Sequence, residues 1–323
     1  MTVRLNALGF KAKLPELPKT LPVHALQAPD LGETRRAAIG RLAERLKLGS
    51  LREVEFDHGL VLASERGDIT HFRASGGLWA RDATAGRGAK EELRQWDGLV
   101  KGSDEHQRLA LSPEAGRKLL GRTRELLEPL GLLGKELASE SVQLDQVAQL
   151  DAKGREIAHG AGQASVRFHY AVAGLPVRGA GAKTLAFVEP EEGGRYAGIF
   201  HAWRPLGREQ KLQLPGTVEE ALGVGLLTDP QLEKYSAAGH KIQIDKLELV
   251  YLALPVFTQQ THLFPAFQIE GQVSEGKLGI GFFFGRYHHV ASPKAYAAAD
   301  LYGACLSANP DGIAPQDKNL QVG

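Results

Sequence analysis

Val166-Arg167-Phe168-His169-Tyr170-Ala171-Val172 reads as a β-strand, and its surroundings decide the fold. Val166, Phe168, Tyr170 and Val172 alternate with Arg167 and His169, the period of two in which one set of side chains is buried and the other faces water. Residues 185–188 and 196–203 repeat the apolar run, separated by Pro190-Glu191-Glu192-Gly193-Gly194. These connections are too short for parallel crossovers, which need a dozen or more residues, so hairpins are expected. After residue 135 nothing shows the strand–helix–strand alternation of a doubly wound sheet.

Upstream, Asp30 followed by Glu33 forms a capping-box pattern, and Gly49 supplies a stop. Between them Ile39, Leu42, Ala43 and Leu46 make one apolar stripe, which predicts a helix over 33–48. Strands at 52–56, 60–63 and 69–73 follow, the last two joined by a turn at 64–68. Residues 83–110, with their paired charges and glycines, read as a linker. Ser112 and Pro113 open a second helix, lined by Leu119, Leu120, Leu126, Leu127 and Leu130 and ended by Gly131. Thr217 and Glu220 cap a third, which Gly223 and Gly225 keep short. Apolar strands at 242–254, 263–269 and 278–284 come after it.

A helix followed by about three strands thus occurs three times. The expected class is α+β, with tandem helix-plus-antiparallel-sheet units at 30–82, 111–215 and 216–292 and a tail at 293–323. Residues 1–29 read as an extended proline-rich arm. Pro15, Pro18, Pro22 and Pro29 oppose helix, while Leu14, Leu17 and Leu21 recur for contact. The arm either straps the chain's own core or docks on a neighbouring copy.

Lys plus Arg total 39 against 38 for Asp plus Glu, so charge gives no case for a nucleic-acid partner. Arg35, Arg36, Arg41, Arg45 and Lys47 are interleaved with Glu33 and Glu44, as on a solvated helix face. The single cysteine, Cys305, excludes a disulfide framework. No run reaches the length of a membrane span, and no signal-peptide pattern opens the chain. A soluble, cytoplasmic protein is expected.

The search for chemistry assigns no catalytic residue, metal or cofactor. Gly179-Ala180-Gly181-Ala182-Lys183-Thr184 lacks the Gly-Lys step of a phosphate loop and joins two strands, so it reads as a tight hairpin connection. His288 and His289 are adjacent and point to opposite strand faces, and the remaining histidines are scattered. Glu91-Glu92, Glu191-Glu192 and Glu219-Glu220 have ordinary solvation or capping explanations.

Gly174-Leu175-Pro176-Val177, between the strand at 166–172 and the return at 182–188, resembles PepSY-like domains, including the propeptide domains of thermolysin-type proteases. Residues 247–251 and His262-Leu263-Phe264-Pro265-Ala266-Phe267 look like a later strand pair of the same kind. The resemblance covers about 165–275. It implies a cystatin-like unit, one helix across a curved antiparallel sheet, in a family that inhibits, chaperones or binds. No His-Glu-x-x-His peptidase motif follows, which excludes a propeptide role in cis.

Aromatic residues crowd the last unit: Tyr251, Phe257, Phe264, Phe267, Phe282, Phe283, Phe284 and Tyr287. Such a cluster is either a core covered on both faces or a partly open surface. If open, Tyr251, His262, Arg286 and His288 are the candidate binding residues. The sequence therefore suggests a non-enzymatic binding protein that engages a protein or peptide partner, or its own copies through its sheets and arm. An enzyme with a dispersed site in the third unit and a structural subunit of a homo-oligomer remain as alternatives.

Overall fold

The structure, a computed structural model, describes residues 8–27, 31–85, 96–102, 108–189, 194–274 and 281–291. Asp30, Glu91-Glu92, Glu191-Glu192, Cys305 and the tail at 293–323 lie outside them.

The chain is mainly β, 50% strand against 19% helix, which corrects the expected tandem helix-plus-sheet (cystatin/PepSY-like) units. Its strands are β1 (Leu8–Phe10), β2 (Thr20–Leu26), β3 (Arg52–Phe56), β4 (Gly59–Ala63), β5 (Gly67–Phe72), β6 (Gly77–Asp82), β7 (Leu99–Lys101), β8 (Leu109–Leu111), β9 (Leu137–Leu150), β10 (Glu156–Val172), β11 (Leu175–Arg178), β12 (Lys183–Glu189), β13 (Arg195–His201), β14 (Leu206–Gln213), β15 (Lys241–Leu252), β16 (His262–Ser274) and β17 (Gly281–His289). Among the described residues four α-helices accompany them: α1 (Glu33–Arg45), α2 (Pro113–Leu127), α3 (Val218–Val224) and α4 (Pro230–Ala237). Fifteen strands form one sheet in the order β14-β2-β16-β15-β11-β10-β12-β13-β6-β5-β4-β3, with β9 beside β10, β17 beside β16 and β1 beside β15. Pairing is antiparallel except for β1 and β11 against β15.

The first two expected units fuse because β6 pairs with β13, Leu78 opposite His201 and Ala80 opposite Ile199. That contact joins strands far apart in sequence, and β6 itself was not expected. The fused half has one core. Ile39, Leu42 and Leu46 after or within α1 and Leu119 and Leu127 of α2 pack with Ile69, Leu78, Val166, Phe168, Val188 and Ile199 of the sheet. Each such side chain contributes roughly 1.5–3 kcal/mol through burial. α2 starts at the expected signals, with Ser112 Oγ accepting from the Ala115 N–H. The residue at the N-cap of α1 is Gly32, which has no side chain to offer.

The other half packs α3 and α4 against β15, β16 and β17. The Thr217–Glu220 capping box is present at α3. The arm belongs to this half as sheet, since β2 pairs with β14 and, at Ala25 and His24, with β16. Leu21 and Val23 are buried, whereas Leu14 is 39% exposed. Pro22 is tolerated because β16 pairs β2 only at residues 24 and 25, and the Pro22 carbonyl accepts from the Tyr251 hydroxyl at 2.7 Å.

At the turn between β10 and β11, Ala173 (φ 49°) and Gly174 (φ 78°) are both left-handed, as a two-residue hairpin requires. Residues 179–182 are not a hairpin connection, because β11 and β12 both border β10 and do not pair with each other. The glycines there serve close approach: a Cβ on Gly181 would lie 2.1 Å from the Leu254 carbonyl oxygen. The described part of the expected linker is also structured. β7 and β8 form a hairpin, and Trp96 Nε1 donates to Gly162 O at 2.8 Å.

Candidate functional site

In the N-terminal half both helices pack on one face of the sheet, so the alternate side chains of every strand point the other way. The strand registers align them in continuous cross-strand rows. One row runs Val54, Val61, Thr70, Trp79, Phe200, Leu185, Arg167, Ser141 across β3, β4, β5, β6, β13, β12, β10 and β9. The next runs Arg52, Ala63, Asp68, Arg81, Gly198, Phe187, Ser165, Gln143. A third holds Phe56, Gly59, Phe72 and Gly77 at one end and Lys183, His169 and Ser139 at the other.

This outer face is aromatic at its centre. Trp79 meets Phe187 edge-on with ring centroids 5.6 Å apart, and Phe200 at 5.9 Å. Trp79, Phe187, Phe200, Leu185, Val61 and Phe72 are half-buried and belong to none of the three buried cores or their packed margins. Val54 and Phe56 extend the patch onto the edge strand at 42% and 36% exposure. Eight strands at ~4.8 Å spacing make the rows roughly 34 Å long. The part of the first row from Val54 to Leu185 crosses six strands, about 24 Å, and is apolar except at Thr70.

Cations outnumber carboxylates in the three rows, while Glu189, next on the same face of β12, is buried. Asp68 is the sole carboxylate of the three rows, and Arg81 already holds it, Nη2 to Oδ2 at 2.6 Å. Burial, with Arg178, Arg167 and Lys183 adding repulsion, lowers the pKa of His169, so it stays neutral in neutral solution.

The opposite arrangement holds on the corresponding face of β15 and β16. There Lys246 reaches Glu270 at 3.2 Å, Gln268 donates to Glu270 at 2.7 Å, and Gln243 and Gln272 donate to Asp245 at 2.6 and 2.9 Å. On β15 and β16 that face is polar, and on β17 Tyr287 and Phe283 stand opposite Gln268 and Gln272.

The four residues singled out in sequence do not form one site. Tyr251 is fully buried and bonded to Pro22 O, and burial raises its pKa. His262 stands at the start of β16 beside Thr261, 3.2 Å from Nδ1 to Oγ1. Arg286 and His288 do share a strand face, and both meet Asp229. Arg286 Nη1 lies 3.1 Å and His288 Nε2 3.7 Å from Oδ2, and Arg286 also donates to the Gln231 side-chain oxygen. Asp229 caps α4 with its other oxygen, accepting from the N–H groups of Gln231 and Leu232. Burial lowers the His288 pKa to about 4; Asp229 works against this, while Arg286 and His289 add to it. The cluster ties α4 to β17.

Other polar groups in the interior are likewise engaged. His201 Nδ1 lies 2.9 Å from Thr184 Oγ1, itself 2.8 Å from the Tyr170 hydroxyl, and the Tyr170 ring stacks on Trp203 at 4.3 Å. Burial, with repulsion from Arg35, lowers the His201 pKa to about 3. Arg204, 2% exposed, donates to the carbonyls of Leu254, Pro255 and Thr258 and organises that loop. A cleft of about 240 Å³ lies between β8, the start of α2 and β9, lined chiefly by Leu109, Leu111, Pro113, Leu120, Val142 and Leu144. Among the described residues no group of three or more His, Cys, Asp or Glu is placed to hold a metal. No helix among them is long and apolar enough to cross a membrane.

The sequence carries one signal for the aromatic face. Leu185, Ala186, Phe187 and Val188 are apolar on both strand faces, as are Ile199 and Phe200, the pattern considered only for the phenylalanines of β17. On β17 itself Phe284 packs half-buried on the core, whereas Phe283 is 80% exposed.

No family model matches the chain, and no curated protein matches it. Among solved structures, an uncharacterized protein from Eubacterium rectale ATCC 33656 is similar at a TM-score of 0.46 and 8% identity, over 85% of this chain and 84% of that one.

Proposed function

We propose that the protein is a non-enzymatic binding protein that engages a protein or peptide partner across the aromatic outer face of its sheet. One observation carries this reading: a continuous row from Val54 through Trp79 and Phe200 to Leu185 that no helix among the described residues covers. Aromatic residues rimmed by cations are the composition of binding hot spots, where a rigid ring supplies contact area at little entropic cost. The N-terminal arm contributes its strand to the chain's own sheet, so the outer face, not the arm, is the surface left for association.

The test compares the wild type with Trp79→Ser/Phe200→Ser. An open face binds the apolar dye 8-anilinonaphthalene-1-sulfonate, and the double variant loses that binding with a stability change within about 1 kcal/mol. A loss of about 3–5 kcal/mol, the cost of truncating core aromatics, places these rings in a closed core and ends the proposal.

A further inference from the structure

The side chains around the aromatic centre specify what its partner carries. We infer that the outer face accepts an acidic segment, in which apolar side chains are interspersed with Asp or Glu; this rests on the docking role proposed above. Arg167 follows Leu185 directly in the first row, Lys183 lies two residues from Leu185 on the same strand face, and Arg52 lies two from Val54. Among the described residues none of these three cations has a carboxylate partner. The one carboxylate of the rows, Asp68, is taken by Arg81. The face thus presents three cations without counter-charge, on a chain whose overall net charge is only +1.

A carboxylate beside each of them gains a charge-assisted hydrogen bond while its apolar neighbours cover Trp79, Phe187 and Phe200. A second copy of the same face brings Arg167, Lys183 and Arg52 against their own kind, and like charges across an interface oppose binding. Single-stranded nucleic acid needs open ring faces on which bases stack. Here Trp79 stands at 89° to Phe187 and 65° to Phe200, so the rings interlock edge to face and offer an uneven apolar floor.

The probe is a fluorescein-labelled peptide of roughly ten residues, long enough to span the rows at about 3.3 Å per residue. Leu and Phe alternate in it with Glu and Asp, and the comparison peptide carries Lys in place of each acid. Anisotropy titrations on the full chain are run with both peptides and with an oligothymidylate, and the protein alone is examined by sedimentation velocity. The acidic peptide binds and the lysine peptide does not. Affinity falls about tenfold or more in Arg167→Glu/Lys183→Glu. It also weakens between 0.1 M and 1 M NaCl, as the screening length shrinks from about 10 Å to about 3 Å. Arg167→Gln/Lys183→Gln gives the same direction with less strain, and melting curves confirm that both variants are folded.

Equal binding of both peptides, unaffected by either variant, overturns the acidic partner and leaves the docking role standing. Tighter binding of the oligothymidylate overturns it in favour of nucleic acid. A dimer of the protein alone that dissociates in Trp79→Ser/Phe200→Ser overturns it in favour of a second copy. If no probe binds and the dye test also fails, the docking role itself falls.

Discussion

Replacing Asp229 separates its two duties. One carboxylate oxygen caps α4 through the N–H groups of Gln231 and Leu232, at 2.9 and 3.1 Å, while the other meets Arg286 at 3.1 Å. The Asp229 side chain is 3% exposed and that of Arg286 16%, so solvent screens their attraction little. Asp229→Ala removes a cap worth about 1 kcal/mol. It also strands a largely buried guanidinium, which costs roughly 3 kcal/mol, the low end for a broken buried pair because Gln231 still accepts from it. The expected loss is about 4 kcal/mol. Asp229→Asn keeps the cap, since asparagine caps as well as aspartate, and is expected to lose about 3 kcal/mol. Urea unfolding at neutral pH, with Arg286→Met and the double variant Asp229→Asn/Arg286→Met completing a cycle, resolves a coupling of about 1 kcal/mol or more. If Asp229→Ala and Asp229→Asn each cost under about 0.5 kcal/mol, the cluster is not a lock between α4 and β17. Arg286 and His288 then return as candidates for binding.

Acid is expected to destabilise the protein well before its carboxylates titrate. Burial lowers the pKa of His201 to about 3 and those of His288 and His289 to about 4, whereas in the unfolded chain these groups titrate near 6.5. The unfolded state therefore binds more protons as pH falls below 6.5, and stability declines through that window down to the folded values. A histidine kept neutral to pH 4 contributes roughly 3 kcal/mol of this loss, which a series of urea midpoints from pH 7 to pH 4 reads directly. A stability flat over that range refutes the burial of these three rings. Deletion of residues 1–18 removes β1 with the buried Leu8, and Phe10 and Leu17 packed on the same core, and is expected to cost about 2–4 kcal/mol, read as a lowered melting temperature. Deletion of residues 1–26 removes β2 with the buried Leu21 and Val23 and is expected to unfold the C-terminal half, as read by circular dichroism.

Local signals carried individual elements but not the fold class, which is mainly β. The strand at 166–172 follows from alternation, α2 from Ser112 and Pro113, and α3 from the Thr217–Glu220 box, all of which act within a few residues. What could not be read is non-local. The β6–β13 pairing turns two expected units into one sheet, and neither strand's sequence names its partner. β2 was hidden by its proline, which is compatible with a strand whose other flank is only briefly paired. At the candidate site the limitation was parity. Alternation shows that Trp79 and Ala80 face opposite ways, but only the placement of α1 and α2 decides which set is left outside. Arg286 and His288 were correctly placed on one strand face, while the acid that holds them, Asp229, sits far upstream at a helix start.

The most direct test of the central claim is the accessibility of Trp79. The chain has three tryptophans, so Trp96→Phe/Trp203→Phe leaves Trp79 as the only emitter, with circular dichroism confirming the fold. Iodide should quench its fluorescence, and more strongly than caesium does, because Arg167, Lys183 and Arg52 share its outer face. The acidic peptide should then protect it. A Trp79 that neither ion reaches, with or without the peptide, contradicts the account.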